Sequence, residues 1–344
     1  MFVRMTFKGG VSRGRRLMAA ACLAVLVGMA ATSTAAAIGA TVKVKTMPVV
    51  ASFSVLGDMV AEIGGDHIEL TTIIGLGGDA HAFEPTPEHV RALSEARVLV
   101  INGLGFEAWL PRLLTASGFE GRQVVASKGV EPRVLGGAEQ AASGHDSGQT
   151  KGARAGDQHG PGHHHGGGVD PHAWQSLTNG MIYVRNIAEG LAKADPANAS
   201  VYFARASRYI DEMKKLDAEM RHALGQIAPE RRKVVVPHDS LGYFGEDYGI
   251  KFVSIMGISG QAEASAHNVA AVVDQVRAAG SAAVFLESGT NPKLAEQIAR
   301  ETGVPVGGTL YADTLSESDQ PAGTYLGMIK WNAGQLIYVL KPAR

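Results

Sequence analysis

The chain has 344 residues, of which 45% are hydrophobic and 19% charged, so it is long enough for two domains with real cores. Residues 1–40 carry five basic side chains and no acidic one, which leaves 27 Lys and Arg against 33 Asp and Glu, a net charge near −6. An acidic body argues against a nucleic-acid binder, which needs a basic stripe. The single cysteine, Cys22, excludes a disulfide framework and cysteine-rich metal sites.

The first forty residues are typical of an export signal. A basic stretch ends at Arg15-Arg16, an apolar run extends from Leu17 to Ala31, and Ala35-Ala36-Ala37 has the pattern of a cleavage zone. The apolar run is shorter than the roughly 20 residues of a membrane span, which favours cleavage over a retained anchor. Cys22 lacks a Leu three positions before it, which argues against a lipoprotein. We therefore predict a signal peptide over residues 1–40 and a periplasmic protein that does not span the membrane.

Strands alternate with helices in the first part of the remaining chain. The pattern predicts strands at 42–51, 68–74 and 98–101, and helices at about 55–63 and 87–96. Short apolar strands that alternate with helices favour parallel βαβ units.

The segment 136–168 interrupts this order. Its 33 residues include eleven Gly and five His, and none of the large apolar residue types. Without large apolar side chains to bury, the segment cannot offset the entropy cost of ordering its backbone. We therefore predict an exposed disordered loop.

A long helix is predicted after this loop, over 196–226. Its apolar residues step by three or four positions and share one face: Ile210, Met213, Leu216, Met220, Leu224 and Ile227. A helix of about 45 Å is longer than one small domain is wide, so we expect it to connect two lobes.

Strand–helix alternation resumes beyond the helix. Strands are predicted at 233–236, 252–255, 282–286 and 304–308, and helices at 266–279 and 292–301. The predicted fold class is α/β, with two lobes of parallel-sheet units joined by a single long rigid helix. The predicted domains are an N-terminal lobe over 41–195, a linking helix over 196–228 and a C-terminal lobe over 229–344.

Four polar residues occupy places where open α/β sheets form their sites, beyond the carboxyl ends of strands. They are His81, His172, His238 and Asp313. Three imidazoles and a carboxylate suit zinc in a tetrahedral shell. From spacing alone, however, a single histidine in a loop is more often an ordinary surface residue than a metal ligand. Glu287, at the end of a predicted strand, is a candidate for orienting a ligand or is a plain strand-end carboxylate.

Five segments carry a resemblance to a known family. They are Asp79-Ala80-His81-Ala82-Phe83-Glu84-Pro85-Thr86-Pro87, Asn102-Gly103-Leu104-Gly105-Phe106-Glu107, Asp170-Pro171-His172-Ala173-Trp174, His238-Asp239-Ser240-Leu241-Gly242-Tyr243-Phe244 and Tyr311-Ala312-Asp313-Thr314-Leu315. In these segments the sequence resembles the metal-binding solute-binding proteins of ABC transporters, the zinc- and manganese-uptake group. The segments run in the family's order and extend over residues 42–342.

The resemblance implies a fold, a site and a partner. It implies two α/β lobes bridged by one long helix, with a metal ion between them and an ABC transporter membrane permease as partner. Position by position, the implied ligands are His81, His172, His238 and Asp313. A His at the third ligand resembles the zinc-type members and a Glu the manganese-type ones, so His238 favours Zn²⁺, with Mn²⁺ possible. Ala80 stands where the family usually has Pro, which loosens that loop without removing a ligand.

The loop histidines form a second candidate. His159, His163, His164 and His165 precede His172, and a flexible imidazole cluster would bind zinc weakly at the mouth of the site. Zinc-type relatives often carry such a loop, although a solvated Gly/His linker has the same composition.

The expected function is that of a periplasmic zinc-binding component of an ABC importer, a monomer and not an enzyme. The alternatives are a manganese- or iron-binding member of the same family, an exported zinc hydrolase, and an extracellular adhesin with the same fold. The hydrolase is disfavoured because four protein ligands leave no open position for a water, and no H-E-x-x-H motif occurs.

Overall fold

The computed structural model describes residues 46–80, 83–134, 168–256 and 266–341. The predicted signal peptide, His81, and the predicted loop up to residue 167 with all of its histidines lie outside the described residues.

The first lobe is built on a four-stranded parallel sheet. Its strands are β1 (Met47–Phe53), β2 (Ile68–Ile74), β3 (Val98–Ile101) and β4 (Arg122–Val125), in the order β2-β1-β3-β4. Its helices are α1 (Ser54–Gly64), α2 (Pro87–Glu95) and α3 (Leu110–Ser117). The two central strands are apolar on both faces and almost wholly buried, as expected of a parallel sheet covered on both sides.

Two helices follow the first sheet. Helix α4 (Leu177–Ala194) packs along α5 (Ala199–Gly225), which begins after a 3₁₀ turn at Pro196–Asn198. The 27 residues of α5 span about 40 Å, which confirms the predicted long helix. Four residues of this helix that lie on its predicted apolar face are buried: Ile210, Met213, Met220 and Leu224.

The second lobe repeats the arrangement of the first. Its strands are β5 (Lys233–Val236), β6 (Lys251–Ser254), β7 (Ala283–Glu287) and β8 (Val306–Leu310), all parallel in the order β6-β5-β7-β8. Its helices are α6 (Gly242–Tyr248), α7 (Ala266–Ala279), α8 (Lys293–Thr302) and α9 (Tyr325–Leu340). Two parallel-sheet α/β units and one long helix confirm the predicted fold class, and the predicted domain boundaries stay a prediction.

One apolar core connects the two lobes. It extends from the first sheet through α4 and α5 to α9 and one face of the second sheet, where Val234 and Phe285 belong to it. The opposite face of the second sheet, with Val235 and Val284, forms a separate cluster against α7 and α8. The lobes are therefore joined by shared packing as well as by the chain.

Most predicted strands lie within one or two residues of the observed ones, and 68–74, 98–101 and 233–236 match them. The sequence analysis did not identify β4, α3, α4, α6 or α9. Within the described ranges no helix combines the length and apolarity that crossing a membrane requires.

Candidate metal-binding site

Three of the four predicted ligands converge between the lobes. His172 lies just before α4, His238 lies two residues after β5, and Asp313 lies three residues after β8. Strands β5 and β8 are parallel and end at the same edge of their sheet, which brings His238 and Asp313 together. The fourth predicted ligand, His81, lies outside the described residues.

The distances between the three side chains fit a shared ion. The Asp313 carboxylate lies 3.5 Å from His172 Nε2 through Oδ1 and 3.4 Å from His238 Nε2 through Oδ2. One ligand atom from each residue falls within 4.8 Å of the others. Ligand atoms about 2.05 Å from a tetrahedral zinc lie about 3.3 Å apart, so the two distances from carboxylate to imidazole are close to those of a coordination shell.

A carboxylate orients each imidazole. Asp170 Oδ1 accepts from the backbone N–H of His172 at 2.9 Å and lies 2.8 Å from His172 Nδ1. Glu287 Oε2 lies 2.8 Å from His238 Nδ1. An ionised carboxylate accepts, so each Nδ1 donates to its carboxylate, and both Nε2 atoms face the Asp313 carboxylate. Glu287 therefore contacts a predicted ligand, as one of its two sequence interpretations anticipated.

Burial and charge shift the pKa values on the second-lobe side. Burial lowers the pKa of His238, but the nearby charges of Glu287 and Asp313 outweigh it and hold that pKa well above the ordinary value. Burial raises the pKa of Glu287 despite the opposing effect of His238. Without a metal ion, His238 thus holds a proton that a cation would have to displace.

The backbone beside Asp313, in the second lobe, is held by hydrogen bonds from the first lobe. The Ala312 carbonyl accepts from Trp174 Nε1 at 3.0 Å and from Gln175 Nε2 at 2.8 Å. Thr314 Oγ1 accepts from the backbone N–H of Gly77 at 2.8 Å, across 237 positions of sequence. The position of Asp313, a predicted ligand whose side chain is 14% exposed, consequently depends on contacts between the lobes.

An aromatic floor lies under His172. The ring centroids of Trp174 and His172 are 5.2 Å apart, and Phe53 and Phe106 lie 4.8 and 4.9 Å from Trp174. These side chains are buried, so the site is backed by apolar surface on this side. Low polarity around a cation strengthens its attraction to the carboxylates.

The motif 102–107 forms a turn that supports the same side of the site. Gly103, Leu104 and Gly105 all have positive φ, at 85°, 55° and 81°. The buried Glu107 carboxylate accepts from the backbone N–H groups of Asn102 and Gly103 at 2.6 and 3.1 Å. Asn102 Nδ2 in turn donates to the carbonyl of Pro171, next to His172. The motif is therefore a structural support rather than a source of ligands.

The structure adds two residues that the sequence analysis did not single out. Asp170 orients His172, and Arg133 Nη1 lies 3.0 Å from the other oxygen of Asp170. The position of Asp170 two residues before His172 was a usable signal, since ligating histidines commonly pair with a carboxylate. Nothing in the sequence indicates Arg133, because 36 residues separate it from Asp170.

Chemically, the arrangement offers two imidazole nitrogens and a carboxylate that face one another. This donor set binds borderline divalent ions such as zinc, and it also accommodates manganese and iron.

Comparison with known proteins assigns the chain to a family. The family model described as "ZnuA: Zinc-uptake complex component A periplasmic" matches residues 49–338. The metal ABC transporter substrate-binding lipoprotein FimA of Streptococcus parasanguinis is 29% identical over 320 residues, which cover 91% of this chain and 94% of that protein. The manganese-binding lipoprotein MntA of Halalkalibacterium halodurans is 30% identical over 291 residues, covering 85% and 87%.

A solved structure agrees with these relatives. The Mn-bound periplasmic metal binding protein from Candidatus Liberibacter asiaticus is 26% identical and superimposes with a TM-score of 0.71, covering 86% of this chain and all of that one. Substrate-binding components of importers bind and release their cargo unchanged. Membership of such a family therefore argues against the alternative function of an exported zinc hydrolase. This chain belongs to the ZnuA family of metal-binding substrate-binding proteins of ABC transporters, and it is not an enzyme.

Proposed function

We propose that this protein binds one divalent metal ion between its lobes and delivers it to a membrane permease after export to the periplasm. The proposed ligands are His172, His238 and Asp313, with His81 as the fourth. His81 follows β2 in the sequence, and a fourth donor would complete a tetrahedral shell.

One observation carries this proposal. The Nε2 atoms of His172 and His238 both lie within 3.5 Å of the Asp313 carboxylate, while each Nδ1 is held by a separate carboxylate. An imidazole that merely fills space does not need an orienting carboxylate behind it and a second carboxylate in front of it. This pattern is the one that ligating histidines adopt.

Zinc is the proposed cargo, with manganese or iron as the rival. The three-imidazole, one-carboxylate set and the name of the family favour zinc. The manganese-binding relative and the Mn-bound structure favour the rival. Metal content of the protein purified from its native compartment, followed by competition titrations with zinc, manganese and ferrous iron, decides between them.

Single substitutions test the ligand set. The variants His81→Ala, His172→Ala, His238→Ala and Asp313→Ala should each weaken binding of the preferred metal by at least tenfold. His222→Ala is the matched control, because His222 is exposed on the long helix. An unchanged metal affinity in His238→Ala would refute the proposed site.

The loop histidines His159, His163, His164 and His165 are proposed as a weaker auxiliary site that collects zinc. Val134 and Val169 form a β-bridge, so the two ends of the loop are already adjacent. Deleting residues 136–167 leaves two residues between them, the length of a tight hairpin turn. Titration calorimetry should show that this deletion removes a weak class of zinc sites and keeps the tight ion. A tenfold loss at the tight site would instead make the loop part of that site.

Export is proposed to end in cleavage of the signal peptide and release of a monomer. The two named relatives are lipoproteins, so lipidation at Cys22 is the competing outcome. The mass of the mature protein distinguishes the two, because lipidation adds acyl chains at residue 22 and cleavage beyond it removes Cys22. Sedimentation of the mature protein tests its oligomeric state.

A further inference from the structure

Arg133 lies where the segments that carry the two histidines meet. Its backbone N–H donates to Tyr243 Oη at 2.8 Å, and its carbonyl accepts from the N–H of Asp170 at 2.9 Å. Tyr243, on α6, also donates from its hydroxyl to the Asp170 carbonyl at 3.1 Å. The backbone at Arg133 is thus bound on one side to the His172 segment and on the other to the second lobe.

The guanidinium makes the same connection. Nη1 lies 3.0 Å from Asp170 Oδ2, while Asp170 Oδ1 holds the backbone and ring of His172. One buried carboxylate is therefore shared between the arginine and the imidazole. Because its charge is wholly removed from solvent, Asp170 depends on Arg133 as its countercharge.

The guanidinium also contacts the second lobe. Nε lies 3.0 Å from Glu246 Oε1 on α6, and Nη1, the nitrogen beside Asp170, lies 3.9 Å from Asp239 Oδ2. Asp239 directly follows His238 in the sequence. The side chain thus links the carboxylate that orients one imidazole to the residue that follows the other.

Space for the guanidinium is provided by a glycine. A Cβ added at Gly242, the first residue of α6, would clash with Cζ and Nη1 of Arg133. Gly242 is buried and takes no positive φ, so its backbone conformation alone does not require glycine. The absence of a side chain there is explained by the position of Arg133.

We propose that Arg133 is a positioning residue for metal binding, which sets the orientation of His172 through Asp170 and its spacing from His238 through Asp239 and α6. The inference rests on the proposed metal site. Losing the guanidinium removes the countercharge at Asp170 Oδ2, so the carboxylate that directs the His172 ring is no longer held from that side. Substitutions that disturb the carboxylate behind a metal-bound histidine typically lower metal affinity by about 10- to 100-fold.

The test is a titration of the full chain with Co²⁺, whose visible absorption reports the geometry of its ligands, combined with zinc competition. Arg133→Gln should lower affinity by 10- to 100-fold and alter the Co²⁺ spectrum. Gly242→Ala, which displaces the guanidinium without removing it, should change both in the same direction. Arg133→Lys keeps a positive charge beside Asp170 but lacks the planar guanidinium, so its affinity should lie between those of the wild type and Arg133→Gln.

Arg185→Gln is the matched control, because Arg185 is an exposed arginine on α4, and it should change affinity less than threefold. If Arg133→Gln and Gly242→Ala lower the stability of the metal-free protein but leave affinity and spectrum unchanged, Arg133 is only structural and the inference is wrong. If Arg133→Gln does not fold, Gly242→Ala and Arg133→Lys decide by the same criteria.

The two proposals fail in different ways. A wild-type protein that binds no Co²⁺, or a His172→Ala variant that binds it normally, overturns the metal site itself. A normal wild type with normal Arg133 variants overturns only the role of Arg133.

Discussion

Asp58 accepts a hydrogen bond at 2.8 Å from the backbone N–H of Tyr325, which joins the first helix of the chain's first lobe to the first residue of its last helix. Tyr209 on α5 also donates to the same carboxylate oxygen, at 3.5 Å. Burial raises the pKa of Asp58 from 3.8 to about 6, against the opposing effect of the Tyr325 N–H and with support from the charge of Glu62. An ionisable group therefore lies at a contact between the lobes.

The Asp58 contact should make stability depend on pH. Its folded pKa exceeds its unfolded value, so its contribution is fully present below about pH 4 and lost as the pH rises through 6. Between pH 7.5 and 5, the free energy of unfolding of the metal-free wild type should rise by about 1 kcal/mol relative to Asp58→Asn. Urea denaturation at both pH values measures this difference. Glu120→Gln, at an exposed carboxylate, should keep the wild-type dependence, and an Asp58→Asn variant that also keeps it would refute the assignment.

Removing the charge behind His238 should weaken metal binding. In Glu287→Gln an acceptor for His238 Nδ1 remains but its charge is lost, so the imidazole becomes a poorer donor to the metal. We expect a loss of about tenfold in affinity, measured by competition with a chelating dye. Glu317→Gln, at an exposed carboxylate a few residues beyond Asp313, is the control. Equal affinities in the two variants would mean that Glu287 has no role at the site.

Metal binding should release a proton. The pKa of His238 lies well above its ordinary value in the metal-free protein, so the ring is charged near neutral pH and must lose a proton when Nε2 binds a cation. Apparent affinity should therefore fall as the pH is lowered, by about tenfold per pH unit for each proton displaced. Calorimetry in buffers of different ionisation enthalpy counts the protons. Glu287→Gln should release fewer, because one of the two charges that raise the pKa of His238 is gone; identical release would contradict this explanation.

Two glycines in helices should respond oppositely to alanine. A Cβ at Gly180 in α4 would clash with the hydroxyl of Tyr325, which donates to the Trp174 carbonyl at 2.7 Å. Gly180→Ala should therefore lower the free energy of unfolding by about 1–3 kcal/mol. Gly334 in α9 has open space around it, so Gly334→Ala should raise that free energy by about 0.5–1 kcal/mol. Thermal denaturation measures the stability of each variant against the wild type. A stabilised Gly180→Ala would show that α4 and Tyr325 of α9 can move apart without loss of stability.

Local sequence patterns were sufficient for much of the secondary structure. Strands β3 and β5 lie where they were predicted, because they are buried apolar runs that end before Asn102 and Pro237. Strand β2 was also placed correctly, although Glu69 and Thr71 within it are exposed. Strand β4 was missed because it is short and only Val124 within it is buried. Helix α4 did carry a signal, since Val184, Ile187, Ala188 and Leu191 have helical spacing and are buried.

The sequence by itself determined the alternation of strands and helices, the long helix and the types of side chain that follow the carboxyl ends of the strands. Only the tertiary structure decided which of those side chains meet. The order β6-β5-β7-β8 places Glu287 behind His238 across 49 positions, and lobe packing places Gly77 against Thr314 across 237. Strand order and lobe packing depend on long-range burial, which leaves no local pattern in the chain. For that reason the candidate ligands could be named from the sequence, while Arg133 and its contact with Asp170 emerged only from the fold.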